Sequence, residues 1–226
     1  RTGTSTRAAV SVNTSIDQCI RPLRIVIFAK APRPGLAKSR LIPALGSDGA
    51  AALARRFLAH TLDTALAASV GTVELCVTPA MTDPIWQSLG IPAAVQLRDQ
   101  GEGDLGERMA RAARRVIGSG EAVLLIGTDC PGLGARELQA AAHSLQLCDA
   151  TLFPAADGGY ALLGLNRFHA SVFSGIAWST ETVTLETLDR LGKLGWSVQS
   201  HPSLHDIDEP ADLQWLPKDW LADIRS

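Results

Sequence analysis

Residues 121–131 read Glu-Ala-Val-Leu-Leu-Ile-Gly-Thr-Asp-Cys-Pro, an unbroken apolar run that ends abruptly in polar residues. Five apolar residues without polar alternation predict a strand buried on both faces, as found in the middle of a parallel sheet. Ligand sites in such sheets lie beyond the carboxyl ends of the strands. We therefore expect Asp129, directly after the run, to emerge at the functional edge of the sheet.

Strands and helices alternate on either side of this run. Apolar periodicity and turn residues predict strands over residues 23–29, 72–78, 93–97 and 195–200, and helices over residues 48–70, 84–89, 104–116, 135–147 and 180–191. Residues 150–154 and 160–165 flank an Asp-Gly-Gly turn and predict a hairpin. The alternation predicts an α/β fold with a mixed, mostly parallel sheet and helices on both faces.

Length and composition restrict the class of protein. With 226 residues the chain is long enough for one domain, which we place at residues 22–226 after a loosely held tail at residues 1–21. A net charge of −2 gives no basic face for nucleic-acid binding, and every apolar run is too short to span a membrane. Four cysteines without a CxxC pair are typical of reduced thiols, so a cytoplasmic location is expected.

The loop after the first strand, AKAPRPGLAKSRL at residues 29–41, is rich in cations and turn residues. Lys30, Lys38 and Arg40 could neutralise a di- or triphosphate, and Gly35 would allow the backbone to approach it closely. The alternative is a solvated basic loop. The loop lacks the GxxxxGK[ST] pattern of a Walker A motif, which disfavours an ATPase of that class.

Asp129 is the best candidate for a metal ligand. Mg²⁺ and Mn²⁺ prefer oxygen ligands and often take one or two carboxylates together with substrate phosphates. Asp206 and Asp208 offer the second carboxylate, and Thr128 stands beside Asp129 at the predicted nucleotide site. For each aspartate the alternative role is a turn or a helix cap.

Two further segments are candidates for a pocket wall. Asp157-Gly158-Gly159-Tyr160 is either a tight turn or part of a binding site. Trp178-Ser179-Thr180 could close the pocket, although an aromatic residue beside a helix start is usually a packing anchor.

In a third segment, Asp104 and Glu107 form a predicted capping box. The loop that precedes it, residues 101–103, is expected to be flexible, and Arg108 and Arg111 are expected to be solvated.

Taken in order, six motifs resemble a bacterial family of GT-A-like transferases, formerly grouped as a domain of unknown function and often labelled glycosyltransferases. The resemblance spans residues 24–216. The same arrangement of motifs is more distantly similar to that of molybdenum cofactor guanylyltransferase and phospholactate guanylyltransferase. The motifs are AKAPRPGLAKSRL, GDLGERM, GTDCPGL, PAADGGYALLG, WSTETV and DIDEPADL.

The resemblance implies a nucleotide-diphosphosugar-transferase fold (GT-A, Rossmann-like) with Asp129 at the metal site, completed by Asp206 or Asp208. It also implies that Lys38 and Arg40 touch phosphates and that residues 157–160 shape the acceptor pocket. The predicted catalytic residues are Asp129 and Asp157. The predicted nucleotide-binding residues are Lys30, Gly35, Lys38, Arg40 and Thr128. The predicted acceptor-pocket residues are Gly158, Gly159, Tyr160, Trp178, Ser179 and Thr180.

The predicted function is transfer from a nucleotide-sugar donor to a small-molecule acceptor, assisted by Mg²⁺ or Mn²⁺. The usual Asp-X-Asp signature is reduced to Thr128-Asp129-Cys130, with one carboxylate. This leaves room for a nucleotidyltransferase that joins a nucleoside triphosphate to a phosphorylated acceptor and releases pyrophosphate. A nucleotide-binding module without catalysis is the third alternative.

Overall fold

The computed structural model describes residues 21–225, so the predicted tail lies outside the described residues except for Arg21. Seven strands and five α-helices alternate along the chain. The strands are β1 (Leu23–Lys30), β2 (Thr72–Thr78), β3 (Val95–Asp99), β4 (Ala122–Ile126), β5 (Ala150–Pro154), β6 (Tyr160–Leu165) and β7 (Val198–Ser200). The helices are α1 (Ile42–Ala68), α2 (Leu105–Gly118), α3 (Ala135–Ser144), α4 (Val183–Lys193) and α5 (Lys218–Arg225). Short 3-10 helices cover Ser39–Leu41, Pro84–Leu89, Ala170–Val172 and Pro210–Trp215.

The seven strands form one sheet in the order β3-β2-β1-β4-β6-β5-β7. β6 runs antiparallel to both of its neighbours, whereas the other pairings are parallel. The hairpin of β5 and β6 therefore inserts a reversed strand next to β4. All five residues of β4 are buried, as the unbroken apolar run predicts. The expected mixed, mostly parallel sheet is confirmed.

Helices cover both faces of this sheet because each carries one apolar stripe. Leu58 and Leu62 of α1 join Leu138 of α3 in a core on one face. Met109 and Val116 of α2 pack with residues of α4 on the other face. A sheet with two apolar faces needs a layer on each side to keep both out of water.

A third apolar cluster fixes the segment after β7. Ile207 is fully buried against Leu41 just before α1, Phe57 in the middle of α1 and Trp220 in the C-terminal helix. Because neighbouring residues of an extended chain point to opposite sides, burial of Ile207 directs Asp206 and Asp208 away from this cluster. This anchor positions two of the predicted metal ligands.

Several predicted boundaries differ from the structure. β3 begins at Val95 rather than at residue 93, and α4 begins at Val183 rather than at residue 180. The N-cap of α4 is Thr182, and no side chain caps the helix. The capping box of Asp104 and Glu107 is present in both directions. None of the described helices is long and apolar enough to cross a membrane.

Candidate functional site

A cleft of about 280 Å³ opens beyond the carboxyl end of β4. Its walls are formed by five segments: the end of β4, the start of α2, the β5–β6 turn, the loop before α4 and the segment around Ile207. The side chains fall into an acidic part and an apolar part. The acidic part of its lining is Asp129, Asp157, Asp206 and Asp208, and the apolar part includes Phe28, Leu105, Met109, Tyr160, Trp178 and Val183.

Lys38 connects the two segments that carry the metal-ligand candidates. Its Nζ atom lies 2.8 Å from an oxygen of Asp129 and 3.4 Å from an oxygen of Asp208. The same ammonium donates a hydrogen bond of 2.7 Å to the carbonyl of Ile207, whose N–H donates to the carbonyl of Asp129 at 2.8 Å. Only 6% of the Lys38 side chain is exposed. Residues 129 and 206–208 are thus held side by side around one buried cation.

Asp206 has a different environment from Asp208. Arg40 donates a second ion-pairing hydrogen bond to Asp208 at 2.7 Å, whereas none of the described cations pairs with Asp206. Burial raises the pKa of Asp206, and the neighbouring carboxylate of Asp157 raises it further. The cleft therefore contains a carboxylate whose charge no described side chain neutralises.

Asp157 occupies the turn between β5 and β6. Its carboxylate accepts a hydrogen bond of 2.8 Å from the N–H of Gly159, which is the predicted tight turn. Gly158 has φ +91°, and a Cβ atom there would lie 2.2 Å from the Glu181 carbonyl oxygen. The turn therefore packs directly against the loop that precedes α4. The segment at residues 157–160 is thus a tight turn that also forms part of the cleft wall.

The apolar wall is built mainly from α2 and the loop before α4. The rings of Tyr160 and Trp178 meet edge to face, with their centroids 6.5 Å apart. The Tyr160 hydroxyl is buried without a hydrogen-bond partner among the described residues, and burial raises its pKa. Ser179, next to Trp178, has φ +64°, and Thr180 donates a hydrogen bond of 2.7 Å to the Ala177 carbonyl.

The predicted phosphate-binding residues lie beside the cleft rather than in its wall. Lys30 is exposed and pairs with no described residue, and Gly35 has the positive φ expected of the turn. Lys38 and Arg40 are engaged with Asp208, which differs from the expectation of cations open to a phosphate. The Thr128 hydroxyl donates to Asp129 at 3.2 Å. Of the three predicted phosphate-binding cations, Lys30 is the one that has no ion-pair partner among the described residues and could contact an anionic ligand.

The loop before α2 differs from its prediction. Arg108 and Arg111 are not simply solvated, because they hold residues 100–103 by hydrogen bonds to the carbonyls of Gly103 and Glu102 at 2.8 and 2.7 Å. Gln100 is buried and donates to carbonyls at the ends of β1 and β2. The loop is tied to the sheet and to α2, whereas we expected it to be flexible.

The sequence predicted Tyr160 and Trp178 as pocket residues but not the rest of the apolar wall. Phe28, Leu105 and Met109 also line the cleft, but along the chain they are indistinguishable from core residues. In the structure Leu105 stands at the start of α2 and keeps 44% of its surface exposed. Cys130 also lines the cleft, where burial raises its pKa to about 11.

Comparison with known proteins finds solved structures that are similar to this chain over most of its length. A protein from Desulfovibrio desulfuricans G20, assigned provisionally to the nucleotide-diphospho-sugar transferases, is 33% identical, with 87% of each chain covered and a TM-score of 0.80. A 4-diphosphocytidyl-2C-methyl-D-erythritol synthase from Anaerococcus prevotii DSM 20548 is 13% identical, with 91% of this chain and 97% of the other covered and a TM-score of 0.56. A CMP-2-keto-3-deoxy-manno-octonic acid synthetase bound to CTP is 13% identical, with 89% and 99% covered and a TM-score of 0.54. No curated protein sequence matches the chain.

The fold and these similarities define a transferase with the nucleotide-diphosphosugar-transferase fold, as predicted. One comparison identifies the family within that class. The family model of DUF2064, described as uncharacterized proteins conserved in bacteria, matches residues 61–180, which is more than half of the chain. The chain belongs to the DUF2064 family.

Proposed function

We propose that the chain transfers a sugar from a nucleotide-sugar donor to a small-molecule acceptor, with a divalent cation at Asp129 and Asp206. The observation that carries the proposal is the set of four carboxylates in one cleft, of which two, Asp157 and Asp206, pair with none of the described cations. A donor diphosphate would be repelled by this cluster unless a cation came between them. The similarity to the Desulfovibrio protein supports a nucleotide-sugar donor.

The donor set fits Mg²⁺ or Mn²⁺. The candidates provide carboxylate oxygens, the ligands that these hard cations prefer. Among the described residues no three His, Cys, Asp or Glu side chains stand together as a ready-made metal site. A site of two carboxylates completed by donor phosphates and water requires no such group. Asp206 is preferred to Asp208 because Lys38 and Arg40 already neutralise Asp208.

Four charged residues have a role in this proposal. The cation would stabilise the departing diphosphate as negative charge develops on it. Asp129 and Asp206 hold it, and Lys30 at the end of β1 contacts the outer phosphate. Asp157 accepts the proton of the attacking acceptor hydroxyl, since its carboxylate lies on the cleft wall.

Isothermal titration calorimetry tests the donor and metal roles. Nucleotide sugars with different bases are titrated into the protein with and without Mn²⁺, and Mn²⁺-dependent binding of one of them is expected. Asp129→Asn and Asp206→Asn should weaken that binding at least about tenfold, whereas Asp212→Asn, a change at a nearby helix-capping aspartate, should not. Unchanged Mn²⁺ dependence in both variants would refute the proposed metal site.

Nucleotidyl transfer remains the competing function, because Thr128-Asp129-Cys130 provides one carboxylate where an Asp-X-Asp signature has two. The two functions leave different products. Pyrophosphate formed from a nucleoside triphosphate and a phosphorylated acceptor would establish nucleotidyl transfer, and a nucleoside diphosphate formed from a nucleotide sugar would establish glycosyl transfer. Tight Mn²⁺-dependent binding without either product across a broad acceptor panel would instead favour a binding module.

A further inference from the structure

The chemistry of the cleft restricts the acceptor, because one part of its lining is acidic and another part is apolar. The acidic wall presents Asp157 and Asp208 in addition to the two proposed metal ligands. Leu105, Met109 and Trp178 form an apolar part of the lining, in which Met109 and Trp178 belong to one hydrophobic cluster. An occupant that fills the cleft must therefore place a polar end at the carboxylates and an apolar surface on the apolar part.

The charge of the cleft restricts the polar end. No lysine or arginine is among the described residues that line it. A phosphorylated acceptor would meet carboxylates without a cation of its own, since the proposed metal is committed to the donor. Burial of an unpaired charge is costly, and like charges add to that cost. The cleft thus excludes an anionic group at the position of the attacking atom.

The apolar wall and the size of the cleft restrict the rest of the molecule. Leu105 is 44% exposed at the mouth of the cleft, so a ligand covering it would remove apolar surface from water. The volume of about 280 Å³ lies at the lower end of the range typical of ligand pockets, roughly 300–1,000 Å³. It accommodates one small apolar group rather than a complete nucleotide sugar together with its acceptor.

We infer that the acceptor is an uncharged alcohol whose apolar body packs on Leu105, Met109 and Trp178 while its hydroxyl faces Asp157. This inference rests on the proposed glycosyl transfer. The hydroxyl oxygen bonds to the anomeric carbon of the donor sugar, and the bond from that carbon to the diphosphate oxygen breaks. The nucleoside diphosphate leaves with the bonding electrons, and the hydroxyl proton passes to the Asp157 carboxylate.

The two methionines of the chain provide a direct test of binding. Met109 lines the cleft, and Met81 is exposed outside its lining, so protein labelled with ¹³C-methyl methionine gives one reporting signal and one internal control. Benzyl alcohol, benzyl phosphate and glycerol are titrated separately, first alone and then with Mn²⁺ and uridine diphosphate. We expect benzyl alcohol to shift the Met109 methyl signal, whereas the phosphate ester and glycerol should leave it in place. Met81 should not respond to any of them.

Two leucine variants link the shift to the apolar wall. Leu105→Ala should weaken benzyl alcohol binding at least about threefold, because the lost methyl groups no longer cover the ligand. Leu185→Ala removes a leucine that is 69% exposed on α4 and outside the cleft lining, and should leave the affinity unchanged. Equal effects of the two variants would overturn the inference.

Three outcomes of the titration would also overturn it: a Met109 shift by benzyl phosphate as large as that by the alcohol, no response to the alcohol in either condition, or equal shifts at Met81 and Met109. Failure of the proposed function has a different signature. In that case no nucleotide sugar binds in the presence of Mn²⁺, while Met109 still responds selectively to the alcohol.

Discussion

The ammonium of Lys38 lies 2.8 Å from Asp129 and occupies the space between two carboxylates proposed as metal ligands from the sequence, Asp129 and Asp208. A cation is therefore built into the part of the site where the sequence suggested an added one. The arrangement neutralises Asp129 in the ligand-free chain. It also sets up competition between Lys38 and a divalent cation for the same carboxylate oxygens.

Lys38→Met should bind Mn²⁺ more tightly than the parent in the absence of nucleotide. Methionine keeps an unbranched apolar side chain but removes the ammonium that competes with the metal. We expect a gain of about tenfold in affinity, which corresponds to about 1.4 kcal/mol. Titration calorimetry with Mn²⁺ alone measures it, and circular dichroism checks that the variant is folded.

Arg40→Met is the matched control for Lys38. Arg40 also pairs with Asp208, but 61% of its side chain is exposed, so water already screens the pair. Its replacement should change the Mn²⁺ affinity by less than about twofold. Unchanged or weaker Mn²⁺ binding in a folded Lys38→Met protein would show that Lys38 does not compete with the metal.

Glu74 is a second buried charge, located in β2 away from the cleft. It is fully buried and accepts hydrogen bonds from Arg115 and, at 3.1 Å, from Arg24, with Arg98 at 3.7 Å. Burial by itself raises the pKa of Glu74, but the contacts with Arg115 and Arg24 outweigh burial and hold the pKa below its usual value. The ionised form is thus favoured in the folded chain.

Glu74→Gln should lower the free energy of unfolding at pH 7 by about 3 kcal/mol, because it leaves the partly buried guanidinium groups of Arg24 and Arg115 without their counter-charge. A lowered pKa in the folded state means that the stabilisation is complete above the unfolded pKa, about 4.5, and is lost as the pH falls through the folded pKa. The difference between variant and parent should therefore shrink below about pH 4.5. Urea unfolding at pH 7 and at lower pH measures both values.

Glu121→Gln controls for general loss of negative charge. Glu121 pairs with Arg24 at 2.8 Å but keeps part of its side chain exposed, so its replacement should cost less than half as much. Equal losses from the two substitutions, or a loss from Glu74→Gln that does not depend on pH, would contradict the role assigned to buried Glu74.

The fold was predictable where one local pattern has one structural solution. The apolar run of β4 has no polar position that could face water, so it specifies a central strand, and Asp104 and Glu107 stand at the spacing that a capping box requires. The order of the strands was less accessible. Nothing local in β6 indicates that it pairs with β4 rather than lying at the sheet edge, because pairing depends on the whole sheet.

The acidic part of the cleft could be predicted from the sequence as a set of residues but not as a set of contacts. Asp129, Asp157, Asp206 and Asp208 do meet in one cleft, since loops after neighbouring strands share a sheet edge. Lys38 was expected to face a ligand, and instead it is buried. That outcome depends on Ile207, whose burial brings the Ile207 carbonyl to the ammonium from 169 residues away along the chain. Single-sequence patterns carry no information on such a distant contact.

Gly106 tests how tightly the start of α2 is packed against the apolar wall of the cleft. A Cβ atom at this position would lie 2.4 Å from Nε1 of Trp178 and 2.7 Å from the carbonyl oxygen of Phe173, both too close for a stable contact. Gly106→Ala should therefore lower the free energy of unfolding by about 1–3 kcal/mol and displace the Trp178 ring. A Cβ atom added to Gly118, in the same helix, would point into open space, so Gly118→Ala should be neutral or stabilise by up to about 1 kcal/mol. Urea unfolding compares the two variants, and an equal response would mean that the contact with Trp178 does not require glycine at position 106.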